Sequence, residues 1–217
     1  MYILSILVFI ISSSIHLYAS YIRNIKLRAL TKGFIIPSLM LLYVSKATTI
    51  ETTFVLALFF SWLGDVLLIV PGTKNFAMGG IAFGVSHLLF AASYLKHVNS
   101  IQGFTIVLVT AVAIIYIIIM LVVFKHLTKY LPSSLVKPMF VYLLANVTMN
   151  CTAFTLLLTN QTLTTLVIFI GALSFFISDT NLFFVRFKKE WKDQNHFVVM
   201  FTYIMAELLI VIGMLGL

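Results

Sequence analysis

Two stretches place a carboxylate inside an otherwise apolar run. They are Ser61-Trp62-Leu63-Gly64-Asp65-Val66-Leu67-Leu68-Ile69-Val70-Pro71 and Phe175-Phe176-Ile177-Ser178-Asp179-Thr180-Asn181-Leu182-Phe183-Phe184. An ionisable side chain at membrane depth costs roughly 2.5–3.5 kcal/mol on insertion scales, so Asp65 and Asp179 are functional candidates by default. Two carboxylates brought together cannot both stay ionised cheaply, and one then keeps its proton. Such a pair would hold an acid and a base in one site. The plainer alternative is that each Asp pins a neighbouring helix through Ser, Thr or Lys.

Other polar residues in apolar runs widen the candidate list. Glu207 follows Tyr203 by four residues, so both project from one helix face. Glu207 is read as a third acid, as the partner of a basic group, or as a neutral carboxyl bonded to a neighbouring helix. His87 shares a face with Phe83, Gly80 and Gly84, and the Gly80-xxx-Gly84 spacing predicts close packing on another helix. That places a structural histidine, bonded to a neighbour, ahead of a catalytic one. His16 is a weaker case of the same kind. Asn146 and Asn150, preceded by Tyr142, form a polar stripe at i, i+4 spacing that suits either helix association or a polar headgroup. Ser61, Ser174 and Ser178 lie near the acids, but no Gly-x-Ser-x-Gly elbow surrounds them, which disfavours a serine hydrolase. Lys32, Lys74 and Arg186 fall where a lipid phosphate would be met, and also where topology signals normally fall.

The elements that must position these residues are membrane spans. Of the 217 residues 62% are apolar and 9% charged, against about a quarter charged in soluble domains. The expected fold is all-α, a polytopic membrane bundle forming one domain over residues 1–217. Eight spans of about 20 residues are drawn: 1–21, 29–46, 51–71, 75–95, 101–124, 135–159, 162–185 and 196–217. The second is interrupted by Lys32 and Pro37, and a seven-helix count leaving it interfacial is the main rival. The N-terminus is apolar from its start, without a basic lead or a small-residue cleavage signal, and is read as a retained first helix.

Loop charge favours eight. Arg23, Lys26, Arg28, Lys32, Lys74, Lys125, Lys129, Lys137, Arg186, Lys188, Lys189 and Lys192 fall at one end, Lys46 and Lys96 at the other. By the positive-inside rule the basic end is cytoplasmic and both termini extracytoplasmic. The same rule accounts for the net charge of +8 without nucleic acid. At 1.5 Å per residue, Asp65 then lies roughly 9 Å and Asp179 about 10 Å from the cytoplasmic helix ends, with Glu207 about 15 Å in. The single Cys151 excludes an intrachain disulfide and a Cys-based metal site. Two embedded histidines without HxxxH or HExxH spacing argue against zinc, and no cofactor is expected.

Taken together, these stretches resemble the YhhN family of membrane proteins, whose vertebrate members include lysoplasmalogenases. The resemblance rests on Lys32, Gly64-Asp65-Val66-Leu67-Leu68 with Pro71, Phe76, Gly80, Phe83 and His87. It continues through Gly171-Ala172, Phe175, Ser178-Asp179, Leu182 and Arg186-Phe187 to Tyr203. Two features depart from the family pattern: Lys32 is followed by Gly33 rather than Pro, and Glu207 stands where Gln is usual. The resemblance implies an integral-membrane hydrolase that cleaves the vinyl-ether bond of lysoplasmalogens to a fatty aldehyde and a glycerophospho-alcohol. Its partner would be a membrane lysophospholipid, and Ile, Phe, Lys and Asn usage suggests a bacterial cell membrane. On this reading one of Asp65 and Asp179 protonates the enol-ether carbon. The other stabilises the oxocarbenium ion and activates water, while His87, Tyr203, Glu207, Asn146, Asn150, Ser178, Lys32, Lys74 and Arg186 surround the lipid. A proton-coupled carrier or a non-catalytic lipid-binding protein is the alternative, because membrane carboxylates also serve proton relays. A structural partner, in which the carboxylates are dispensable, is a third reading.

Overall fold

The computed structural model describes residues 2–187 and 196–217, and every regular element in it is a helix. In chain order these are α1 (Tyr2–Tyr21), α2 (Ile25–Lys46), α3 (Thr52–Ile69), α4 (Thr73–Lys96), α5 (Gly103–Leu127), α6 (Ser133–Asn160), α7 (Leu163–Phe187) and α8 (His196–Leu215). All eight are long and apolar enough to cross a membrane.

The doubtful second span is a complete helix. Asn24 caps it by accepting from the Leu27 amide at 3.1 Å, and Ile35, Ile36 and Leu39 are fully buried on its inner side. The α3–α4 turn follows from Pro71, which cannot continue a helix, and Gly72, whose φ of +130° suits a residue without a Cβ.

Seven helices form a ring. α1 packs on α2, α2 on α3, α3 on α4, α4 on α6, α6 on α7, α7 on α8, and α8 returns to α1 and α2. α5 stands outside this ring against α6 and α7, with little of its surface buried. That explains its nearly unbroken Ile and Val content, since most of its surface meets lipid.

Glycines set the closest helix approaches. A Cβ at Gly171 would come within 2.8–3.0 Å of Ile210 and the Ala206 carbonyl, so α7 and α8 meet almost backbone to backbone. At Gly64, one residue before Asp65, it would strike the ring of Phe83.

The ends of the bundle differ. Lys46 lies over the Tyr2 ring at 3.7 Å, tying the end of α2 to the start of α1. At that same end Glu51 accepts from Lys96 at 2.8 Å and meets His97 at 3.1 Å, while Asn160 donates to the His97 carbonyl. The remaining described Lys and Arg residues lie toward the opposite end. Lys188, Lys189 and Lys192, counted in the charge asymmetry, lie outside the described residues.

Candidate functional site

The backbones of α3 and α8 are not neighbours, nor are those of α4 and α7. Side chains bridge both gaps, and the bridging groups are the polar candidates.

Asp65 is 1% exposed. Lys32 Nζ from α2 lies 3.0 Å from Oδ1, and the Tyr203 hydroxyl from α8 donates to Oδ2 at 2.8 Å. A charge in the second span is thus explained by its partner, since an unpaired buried carboxylate would be costly. Trp62 holds the arrangement by donating its indole N–H to the Gly33 carbonyl, next to Lys32.

Asp179 has different company. Asn146 Nδ2 donates to Oδ2 at 2.5 Å, and the Tyr142 side chain faces the same carboxyl. His87 Nε2 stands 3.6 Å from Oδ2, beyond hydrogen-bond length, and the imidazole is fully buried between the Tyr142 and Phe175 rings. Behind Asn146 runs a directed chain: Tyr116 Oη donates to Asn150 Oδ1 at 3.1 Å, and Asn150 Nδ2 donates to Asn146 Oδ1 at 2.9 Å. Because Asn146 must present its carbonyl to Asn150, its N–H₂ points at Asp179. The i, i+4 asparagine stripe is therefore a positioning device for one carboxylate.

The two acids do not share a hydrogen bond among the described contacts. Phe83, Phe175 and Tyr203 pack edge-to-face with one another, at 5.4–6.2 Å between centroids. This cluster meets Asp65 through Tyr203 and the neighbourhood of Asp179 through the Phe175–His87 contact.

Glu207 is fully buried, one α8 turn beyond Tyr203. Among the described residues neither carboxyl oxygen has a hydrogen-bond partner, although Ser61 and Tyr203 stand beside it. Ser61 is engaged with Ser86 at 2.9 Å. Ser178 faces α8 and donates to the Val199 carbonyl at 2.9 Å, which pins α7 to α8. Lys74 is exposed at the start of α4.

Lys32 and Arg186 line the same cavity, of about 90 Å³ at the basic end, together with Arg28 and His196 and walled by Leu68 and Phe76. Arg186 lies over the Phe76 ring at 5.7 Å. From sequence Arg28 reads only as a loop charge and His196 as a solvated border residue, whereas the structure has both lining this cavity; the spacing of Arg28 four residues before Lys32 is the signal that marks the first. His16, behind this cavity, bonds Thr31 at 2.9 Å. Among the described residues no group of three His, Cys, Asp or Glu side chains converges.

One sequence inference is corrected. Gly80 and Gly84 do not seat a neighbouring helix closely: a Cβ at Gly80 would meet nothing within 4 Å, and one at Gly84 only Tyr142 at 3.8 Å. The close approach of α4 to α3 is made one residue away, at Gly79, where Leu68 lies 3.0 Å from an added Cβ. Gly80 and Gly84 instead line an open seam between α4 and α6.

Fold and site together define a polytopic helical membrane protein with two separately partnered carboxylates inside its helix ring. The chain belongs to the YhhN family, whose model matches residues 27–214, nearly its whole length. A search of curated proteins found no match, and neither did a search of solved structures.

Proposed function

We propose that this protein is an integral-membrane hydrolase acting on the vinyl-ether bond of lysoplasmalogen-type lipids, with its basic end in the cytoplasm. One observation carries the reading: two buried carboxylates, one held by a cation and the other by neutral groups. Lys32 offsets a negative charge on Asp65, whereas no Lys or Arg pairs with Asp179 among the described ion pairs, so the base is assigned to Asp65 and the acid to Asp179. That contrast is what separates an acid from a base in paired-carboxylate enzymes.

The chemistry then balances with these two groups. Asp179 delivers its proton to the enol-ether carbon distal to oxygen, and an oxocarbenium ion forms. Asp65, negative and fixed by Lys32 and Tyr203, stabilises that cation and takes a proton from the attacking water. The hemiacetal hydroxyl returns a proton to Asp179 as its bond to the leaving oxygen breaks, and Asp65 protonates that oxygen. A fatty aldehyde and a glycerophospho-alcohol leave, and both acids regain their starting states. Arg28, Lys32 and Arg186 suit the phosphate, for which fixed positive charge is the ordinary recognition chemistry.

The asparagine chain speaks against a proton carrier. Amide N–H groups orient an acceptor but do not pass protons along, so Tyr116, Asn150 and Asn146 position Asp179 without wiring it to either face.

The deciding experiment measures aldehyde release by purified protein from a lysoplasmalogen, beside the 1-acyl lysolipid and the Asp65→Asn and Asp179→Asn proteins. Release from the vinyl ether alone, lost in both variants and independent of any gradient, is expected. Near-normal release by either variant removes that residue from the chemistry.

A further inference from the structure

The ring has an opening that the functional reading does not use. Along the α4–α6 seam runs a cavity of about 320 Å³, lined by Gly80, Gly84, Leu88, Pro138, Tyr142 and Ala145 among others. A second, much narrower cavity of about 20 Å³ continues it toward the basic end and shares Gly80, Pro138 and Tyr142. Phe76 lines this second cavity and also the basic cavity beyond. α5, which joins α4 to α6 in sequence, packs against α6 and α7 and leaves the seam uncovered.

The seam is apolar, faces the bilayer and is deepened by two residues without side chains. It leads past Tyr142, whose side chain faces Asp179, to the cavity lined by Arg28, Lys32 and Arg186. The whole path has the polarity of an amphiphile with one chain and an anionic head. Its turning point, at Phe76 and Tyr142, is where the head–chain junction would fall. That junction carries the scissile bond in the function proposed above, on which this inference rests for its substrate class.

We infer that the α4–α6 seam binds the single alkyl chain of a phosphate-bearing lysolipid, with Gly80 and Gly84 setting the depth of the tract and Tyr142 marking its inner end. A bilayer lipid held nonspecifically and a second copy of this chain packed through Gly80-xxx-Gly84 are the competing occupants. Continuity with the basic cavity favours the lysolipid over both. Another helix lodged in the seam would leave Arg28 and Arg186, which make no ion pair among the described residues, without an anion.

The test uses an alkyl-ether lysophospholipid with a photoreactive diazirine in mid-chain, which has no vinyl ether and is not turned over. The full-length protein is irradiated with it in lipid nanodiscs, and adducts are mapped by mass spectrometry. Adducts are expected on residues 77–88 of α4 and 138–145 of α6. Gly84→Leu should lower them on the order of tenfold, as pocket filling by a few methylene-sized groups does. Gly84→Ala, whose Cβ makes only ordinary contact with Tyr142, keeps the test valid if the larger side chain impairs folding, and should reduce labelling in the same direction. Ile115→Trp, on the lipid-facing side of α5, should change nothing. Adducts spread over the outer faces of α1 and α5 and indifferent to Gly84 overturn the inference in favour of bulk lipid. Crosslinks between copies through α4 overturn it in favour of a dimer. Seam labelling without aldehyde formation from any lysoplasmalogen leaves this inference standing and fells the enzymatic reading; the converse result does the opposite.

Discussion

The Tyr203 hydroxyl donates to Asp65 at 2.8 Å, across a sequence separation of 138 residues and between two helices whose backbones are not neighbours. Both groups are buried, and Tyr203 also packs against Phe83 and Phe175. Removing the hydroxyl alone leaves that packing intact. Tyr203→Phe is expected to lower kcat by about 10–100-fold, the equivalent of about 1.5–3 kcal/mol for a hydrogen bond to a charged group. Steady-state rates, with a melting curve to show that folding is kept, check this.

Lys32 and Asp65 should behave as a unit. Lys32→Met leaves a buried carboxylate without its cation, which costs about 3–5 kcal/mol. Adding Asp65→Asn to that variant removes the stranded charge and should recover most of the stability. It should not recover activity. Thermal unfolding in one detergent, run on both single variants and the double, measures the coupling; additive losses would mean that the pair is not energetically linked.

The asparagine chain predicts a graded series. Asn146→Leu removes the group that touches Asp179 and should be the most damaging to turnover. Asn150→Leu acts through Asn146 and should cost less, and Tyr116→Phe least. Equal losses in all three, or a reversed order, would show that the chain does not orient Asp179. Mutual polarisation along the chain makes the two outer effects exceed those of isolated bonds.

Glycine contacts should limit stability independently of chemistry. Gly171→Val forces α7 away from the Ala206 carbonyl and Ile210, with a cost of about 1–3 kcal/mol for overpacking. Gly80→Val, which meets open space, should leave melting nearly unchanged. Parallel melting curves compare the two.

At the end opposite the basic cavity, Glu51 should make stability depend on acidity. Burial alone would raise its carboxyl, but hydrogen bonds from Lys96 and His97 prevail and hold it below the usual carboxylate range. A carboxyl lowered in the folded state stabilises above its unfolded value and loses that contribution as pH falls through the folded value. The wild-type protein should therefore lose more stability than Glu51→Gln between neutral pH and the acid side of the carboxylate range. Melting curves across that window test the sign.

Several features of this protein are legible in the chain alone. Eight apolar runs separated by short loops fix the helical class, because only internally hydrogen-bonded helices or closed barrels satisfy backbone groups in hydrocarbon. The carboxylates at 65 and 179 announce themselves because a charge in such a run is expensive. Lys32 reads as a blemish in its span, yet the span exists, because the carboxylate that compensates it lies on another helix.

What the sequence could not specify is who faces whom. Asp65 and Asp179 look alike in their local runs, and only the packing of α2 and α8 around one and α6 around the other makes them unlike. The same holds for Gly80 and Gly84, whose spacing suits a helix contact but whose surroundings make an open seam. Ser178 and Asp179 are adjacent, yet the serine turns to a backbone carbonyl on α8 while the acid faces α6. Spacing along a helix determines which side chains share a face. The partner that face meets is decided by long-range packing, and with it the chemistry each carboxylate can perform.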